Sequence, residues 1–289
     1  MQSNPRPVVL VAEDHPVNQK VVALLLGSLG VDGQMVSNGK DAVEAAVQSS
    51  QPDGFALILM DIMMPEMDGF EAAQTIRRRE FSIGRHTPII ACTAMDRDGI
   101  KDQCIRAGMD DYMGKPMSKA SMRAIIERWS NIPIHQPPTV DSAELKANQL
   151  AESVIEQLEP IDRRSLDLLY GLEQLDDILV LFQTVTETLL VQLESAIKRQ
   201  DVILVRHMAH EIKGSSYAVS ASEMATVCLA LEQAGELQNW PEVERLYAAL
   251  GLAFARVGEY MAGNQRIVRE LRHDTSFGQS PSITVGGNS

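Results

Sequence analysis

The chain has 289 residues, 45% of them hydrophobic, and a formal net charge of -13, which argues against general affinity for nucleic acid or for anionic membrane surfaces. That length suits two ordinary domains, and no apolar run approaches the roughly 20 residues of a membrane span. The three cysteines, Cys92, Cys104 and Cys228, lack the spacing of a disulfide framework or metal knot, so we expect a cytoplasmic protein without membrane insertion.

Residues 7–130 alternate short apolar strands with amphipathic helices. Apolar runs bounded by polar turns are typical of strands buried on both faces. This alternation predicts an α/β doubly wound domain with a five-stranded parallel sheet and helices on both faces. The predicted strands lie at Val8–Ala12, Gly33–Ser37, Phe55–Asp61, Pro88–Cys92 and Asp110–Met113, and the helices begin near Pro16 and span about 39–48, 69–79, 98–107 and 118–129.

Polar side chains follow these strands at the edge where open α/β sheets bind ligands. Glu13 and Asp14 follow the first strand, Asp61 ends the third, and Thr93 and Lys115 follow the fourth and fifth. Three converging carboxylates repel one another unless a cation lies among them, and an all-oxygen site suits Mg²⁺. The set predicts phosphoryl transfer to Asp61, with Thr93 and Lys115 contacting the anion. A lone Asp at a strand end is more often a turn former.

The same segments closely resemble the signature of response-regulator receiver domains. The resemblance covers about residues 7 to 130 and is carried by Ala12-Glu13-Asp14, Met60-Asp61 through Gly69, Thr93-Ala94 and Lys115-Pro116. It implies that Asp61 is the phosphoacceptor, and that Asp14, Asp61 and the backbone carbonyl of Met63 hold Mg²⁺. Glu13 would act through a metal-bound water, and Thr93 and Tyr112 would form the switch. Met63 occupies the position where haloacid-dehalogenase-like phosphatases carry a second Asp, which argues against a hydrolase.

The second half of the chain shows no strand pattern. Residues 131–161 are rich in proline at their start and predict a linker with a helix at 141–158. Helical spacing from 162 to 273 predicts an all-α bundle, with helices at about 164–171, 176–199, 202–219, 223–236 and 242–271. Asp201 and a capping box from Ser220 to Glu223 are the predicted caps. Residues 274–289, rich in Ser and Gly, predict a disordered tail.

One helix of the bundle carries His210, with Lys213 and Gly214 on the same face. Gly costs about 1 kcal/mol in a helix relative to Ala, so close approach by a partner is a sensible reason for Gly214. An accessible imidazole beside an ammonium suits a nucleophile whose phosphorylated form is an anion. Helical histidines are more often structural. A metal site at His207 and His210 lacks a Cys or third His nearby.

The stretch from Ala209 to Ser216, followed by Glu232 in Leu229-Ala-Leu-Glu, resembles the signature of histidine phosphotransfer (HPt) domains, which are four-helix bundles. Ser220 departs from a glycine common after the active helix. Together the resemblances imply a two-component phosphorelay protein with Mg²⁺ as cofactor and with sensor histidine kinases and other receiver or HPt proteins as partners. Asp61 and His210 would exchange phosphoryl groups with these partners. We find no ATP site of the kinase type, so the chain is expected to be a carrier. The alternative is a non-catalytic adaptor regulated by receiver phosphorylation.

Overall fold

The computed structural model describes residues 8–48, 54–93, 100–115, 117–130, 160–162, 166 and 172–274, with side chains described for 175–263 of the last range. The predicted linker, its helix at 141–158 and the tail lie outside these residues, apart from residues 160, 161 and 274. Ile161 is fully buried against the bundle, so the ordered packing of the bundle begins before Asp162.

The predicted five-stranded parallel sheet is confirmed. The elements of the first domain are β1 Val8–Ala12, α1 Pro16–Ser28, β2 Asp32–Val36, α2 Gly39–Gln48, β3 Leu57–Asp61, α3 Gly69–Ile83, β4 Ile89–Thr93, α4 Ile100–Arg106, β5 Asp111–Gly114 and α5 Lys119–Trp129. The strands lie in the order β2-β1-β3-β4-β5, and the three inner strands, β1, β3 and β4, are buried, as their apolar sequences predict. Most predicted boundaries shift by one or two residues, whereas the third helix runs four residues further, to a left-handed cap at Gly84.

Alternating residues of the strands face two separate cores. Val9, Val11 and Leu57 pack with α1 and α5 on one face of the sheet. Leu10 and Ile58 pack with α2 and α3 on the other. All five strands are parallel, so their carboxyl ends, with Asp61 and Thr93, meet at one edge.

The second domain is the predicted helical bundle. Over the described residues its helices are α6 Leu172–Lys198, α7 Val202–Ala218, α8 Ser222–Glu236 and α9 Trp240–Asp274, and each packs against the next, with α9 closing back on α6. The predicted helix at 164–171 lies outside the described residues, apart from Leu166. Asp201 caps α7 by accepting a hydrogen bond from Leu204 N–H at 3.1 Å, as predicted. The predicted capping box at Ser220 is wrong, because the cap residue of α8 is Ala221 and Ser220 instead ends the turn after α7 with φ of 54°.

The helix segment Leu175–Lys198 has a mean hydropathy of 1.2 and is long and apolar enough to cross a membrane. The sequence prediction that no apolar run approaches this length was therefore too strict. Core helices of soluble domains pass the same test. Ile178, Phe182, Leu189 and Leu193 recur at helical spacing and pack in the bundle core, which is the pattern of an amphipathic core helix.

The two domains contact each other through α1, which packs against both α6 and α7. The apolar core on the α1 face of the sheet continues into the bundle. The contact brings the helix that carries His210 to the edge of the sheet that carries Asp61.

Candidate functional site

The acidic pocket at the sheet edge is built around Lys115. Its ammonium donates to Glu13 Oε2 at 2.6 Å and also bonds Asp61 Oδ2. The Lys115 N–H donates to the Thr93 carbonyl at 2.8 Å, which fixes β5 beside β4 at this point. Burial alone would lower the pKa of Lys115, but the carboxylates of Asp61 and Glu13 raise it above its usual range. The lysine therefore stays charged.

Neighbouring backbone and amide groups hold the two carboxylates in place. Met63 N–H donates to Asp61 Oδ1 at 3.2 Å, and Asn18 donates to Glu13 Oε1 at 2.8 Å. A side chain at Gly69 would be impossible, because its Cβ would lie 2.2 Å from the Asp61 carbonyl oxygen. This contact explains the glycine at the end of the Asp61 motif: the loop after β3 folds back tightly against the strand.

The pocket carries more negative charge than its lysine neutralises. The pKa of both Glu13 and Asp14 is raised to about 7: burial is the largest cause, the neighbouring Asp61 carboxylate adds to it, and Lys115 opposes it. Among the described residues, Asp14 Oδ2 is buried without a hydrogen-bond partner. Oxygens of Glu13, Asp14 and Asp61 lie within 4.8 Å of one another. An orphaned buried oxygen within an all-oxygen donor set fits a hard divalent cation such as Mg²⁺.

Of the predicted switch residues, Thr93 is the last residue of β4, and Tyr112 is the second residue of β5, paired with Ala91. Thr93 is buried, whereas the Tyr112 side chain is exposed, with Lys101 Nζ 5.7 Å from its ring centroid. The aromatic ring therefore stands outside the sheet, at the α4 side of the domain.

His210 lies on α7 with its side chain 14% exposed, and its Nδ1 lies 3.0 Å from Glu232 Oε1. Lys213 bonds the same carboxylate at 2.7 Å. Burial raises the pKa of Glu232, but bonds from His210 and Lys213 outweigh it and lower the pKa, so the carboxylate is ionised and only accepts. Nδ1 therefore carries the proton, which leaves the lone pair on Nε2. The ammonium that the sequence places on the same helical face as His210 is buried and paired with Glu232.

Gly214 faces the first domain, as its predicted role in close approach requires. A Cβ at this position would lie 3.5 Å from Asn18 Nδ2 on α1. His207, on the same helix, bonds Glu211 at 2.9 Å, and ligand atoms of Asp14, His207 and Glu211 lie within 4.8 Å of one another. Sequence reasoning alone does not connect Glu211 with Asp14 and Asn18, since it lies more than 190 positions from both along the chain.

Comparisons with known proteins identify both domains. The family model of the response regulator receiver domain matches residues 9–127, and that of the Hpt domain matches 177–260. Neither is a kinase catalytic domain.

Individual relatives are longer proteins. Sensor protein GacS of Pseudomonas syringae pv. syringae is 28% identical over 257 residues, covering 88% of this chain and 27% of the relative. Histidine-protein kinase BarA of Shigella flexneri is 36% identical over 121 residues, covering 42% of this chain and 12% of the relative. The chain thus spans about a quarter or less of these relatives.

A solved structure gives a similar match to the first domain. It is the receiver domain of sensor histidine kinase PA1611 from Pseudomonas aeruginosa, with a magnesium ion in its active-site cleft. That structure is 39% identical, covers 43% of this chain and 98% of its own, and has a TM-score of 0.39. Because the receiver model matches the α/β domain and the Hpt model matches the bundle, this chain contains a response regulator receiver domain followed by an Hpt domain.

Proposed function

We propose that the chain is a phosphoryl carrier of a two-component phosphorelay, with Asp61 and His210 as its two acceptors. The observation that carries this proposal is the pairing of each acceptor with its own charge partner, Lys115 for Asp61 and Glu232 for His210. A buried carboxylate beside an ammonium accepts a phosphoryl group without a large increase in net charge. An imidazole held by a carboxylate keeps one ring nitrogen free to do the same.

Transfer to the receiver begins when an Asp61 oxygen attacks the phosphorus of a phosphohistidine. The P–O bond forms as the P–N bond breaks, and the electron pair returns to the leaving imidazole. Lys115 stabilises the transferring oxygens, and Thr93 supplies a hydroxyl to them. Asp14, Asp61 and the Met63 carbonyl would hold Mg²⁺, with Glu13 acting through a metal-bound water, and the ion would supply positive charge to the phosphoryl oxygens when bound.

Transfer to the HPt domain is the reverse chemistry at His210. The Nε2 lone pair attacks the phosphorus of an aspartyl phosphate, the P–N bond forms, and the aspartate leaves as a carboxylate. Glu232 holds the Nδ1 proton throughout and stabilises the positive charge that the ring gains. No proton has to move in this step.

The partners implied by this chemistry are a sensor histidine kinase as donor and other receiver or HPt proteins. The free thiols of Cys92, Cys104 and Cys228 and the relay chemistry favour the cytoplasm. We also propose that Asp61 phosphorylation draws Thr93 toward the phosphoryl group and lets Tyr112 turn inward, which alters the surface around α4 and α5.

Acid and base lability of the label distinguish the two acceptors. An acyl phosphate at Asp61 is labile to base, and a phosphoimidazole at His210 is labile to acid. With a phosphorylated sensor kinase as the only donor, base-labile label should appear first and acid-labile label later. Asp61→Asn should abolish both labels, whereas His210→Gln should keep the first and lose the second.

Two results would contradict parts of this scheme. Acid-labile label on Asp61→Asn from the kinase alone would show that His210 is loaded without the receiver. A full chain that takes up no label and shows no response to beryllofluoride with Mg²⁺ would favour the adaptor alternative.

A further inference from the structure

The HPt domain lies directly over the mouth of the receiver's acidic pocket. Asn18 on α1 links them, because its amide donates to Glu13 Oε1 at 2.8 Å and lies 3.5 Å from the Cβ position of Gly214 on α7. The side chains of the two acceptors are both sheltered, with Asp61 7% and His210 14% exposed. We call the arrangement in which α1 packs on α6 and α7 the closed pair.

Closing the pair places a further carboxylate next to the pocket. Glu211 approaches Asp14, with their ligand atoms and those of His207 within 4.8 Å of one another. Glu211 interacts with the carboxylate of Asp14 and with the imidazoles of His207 and His15. The carboxylates of Glu13 and Asp61 and the ammonium of Lys115 act in turn on Asp14, on the receiver side of this contact. Like charges that share a partly buried site repel strongly, because the surrounding dielectric is low.

The apolar contacts between α1 and the bundle favour closure. The repulsion between Glu211 and the pocket carboxylates opposes it. Three ionised carboxylates and the Lys115 ammonium leave two negative charges in the pocket, and a divalent cation among Glu13, Asp14 and Asp61 neutralises them. The pocket then no longer repels Glu211.

We propose that closure of the HPt domain over the receiver depends on a divalent cation in the pocket, and that Glu211 is the HPt residue that senses this cation. The inference rests on the proposed function only in requiring that the pocket binds a cation. It adds a regulation of the same site, since the cation that prepares Asp61 also brings the chain's own histidine to it. Coupling of this kind is reciprocal, so closure tightens cation binding by the same factor.

Closure can be measured on the full chain without any kinase or phosphoryl donor. The three native thiols are buried, so a dye pair can be attached at Phe81→Cys on α3 and Leu237→Cys after α8, where the side chains are 90% and 79% exposed. We expect Mg²⁺ to change the energy transfer in a saturable way. Glu211→Gln should raise the closed-to-open ratio of the cation-free protein about tenfold and reduce the Mg²⁺ response. Glu244→Gln, at an exposed position of α9, is the matched control and should behave like the parent.

A second pair of variants tests the contact itself. At Gly214 a Cβ makes only an ordinary contact with Asn18, so Gly214→Ala should close normally, whereas the longer side chain of Gly214→Gln should hold the pair open with or without Mg²⁺. Both residues favour helix more than Gly, so folding is not at risk. The open variant should also bind Mn²⁺, monitored by its electron spin resonance, about tenfold more weakly.

The outcomes separate this inference from the proposed function. If Mn²⁺ binds but energy transfer does not change, or if Glu211→Gln matches Glu244→Gln, the inference is wrong and the carrier function stands. If Mn²⁺ does not bind and Asp61→Asn still takes up label, both are wrong.

Discussion

The Glu232 carboxylate of the HPt site bonds two partners at once. Its oxygens lie 3.0 Å from His210 Nδ1 and 2.7 Å from Lys213 Nζ. Lys213 is 3% exposed, so its ammonium requires a buried counter-charge. The same carboxylate therefore stabilises the helix pair and fixes the reactive tautomer of the histidine.

Glu232→Gln should slow formation of the acid-labile phosphate by about 10–100-fold, which is the usual effect of removing a residue that orients a histidine. It should also cost about 1–3 kcal/mol of unfolding free energy, because the charge of Lys213 loses its partner. Stopped phosphotransfer and chemical denaturation measure the two effects. Glu236→Gln, at a half-exposed position on the same helix, is the control. A slower rate that is fully explained by unfolded protein would show that Glu232 is only structural.

At this scale the sequence predicts residues that stand at strand ends better than residues that meet across helices. Asp61 and Lys115 were predictable, since parallel strands deliver their last residues to one edge. Asn18 was not, because its contact with Glu13 and its approach to Gly214 depend on how α1 is rotated and on where the bundle docks. The buried pairing of Lys213 follows from the packing of α7 against α8, which helical spacing alone does not specify.

The three turns of the HPt bundle share one backbone design. Gln200, Ser220 and Gln238 have φ of 53°, 54° and 53°, the left-handed conformation that favours glycine. In each turn the next residue donates back to a carbonyl five residues earlier: Asp201 to Ala196, Ala221 to Ser216, and Asn239 to Ala234. These are Schellman caps in which a side chain occupies the glycine position.

Ser220→Gly should therefore raise the unfolding free energy by about 0.5–1 kcal/mol, because glycine adopts this conformation without steric strain. Gln238→Gly should do the same, and the double variant should be nearly additive, since the turns are separate. Thermal and urea denaturation measure the effect. Ser220→Ala, which keeps the Cβ, is the control and should give no gain. A loss of stability in Ser220→Gly would show that the serine side chain contributes more than its strained backbone costs.

This turn also explains why the sequence misplaced a cap. The spacing from Ser220 to Glu223 fits a capping box for the next helix, yet Ser220 is already used to end the preceding one. Element types were predictable from apolar periodicity, whereas this boundary depends on which of two local hydrogen-bonding patterns wins. The bundle's packing decides that choice.

Across the whole molecule, the acidic pocket makes stability depend on pH and on Mg²⁺ together. Burial raises the pKa of Glu13 and Asp14 to about 7, so their stabilising contribution is present below pH 4 and is lost as pH rises through 7. His15 acts in the opposite direction. Burial lowers its pKa to about 4, so its contribution to stability grows as pH rises and is fully present by about pH 6.5. Above that pH the carboxyl groups dominate, and the Glu211 bond that raises the pKa of His207 acts in the same direction.

In EDTA, the free energy of unfolding should fall between about pH 6.5 and 8. Mg²⁺ should stabilise the protein more at pH 8 than at pH 5.5, because it binds the ionised carboxylates. Urea denaturation with and without Mg²⁺ measures this difference. Asp14→Asn removes a carboxyl group whose pKa is raised. It should weaken the dependence of the unfolding free energy on both pH and Mg²⁺. Equal stabilisation by Mg²⁺ at the two pH values would contradict this account.

At this scale the sequence predicts two domains and their fold classes but not their contact. The strand and helix patterns are local, whereas the packing of α1 on α6 and α7 joins residues that lie more than 140 positions apart. Gly214 was the one residue whose type predicted a closely approaching surface, but the sequence does not identify that surface.

The packing of Asn18 against Gly214 affects how the two domains choose each other in a cell that holds many proteins of the same two families. Partners joined in one chain meet at an effective concentration of about millimolar, well above that of any free competitor. A weak interface therefore suffices, and weak interfaces do not capture foreign domains. Correct pairing then comes from covalent connectivity rather than from tight recognition, and the two surfaces need only remain compatible with each other.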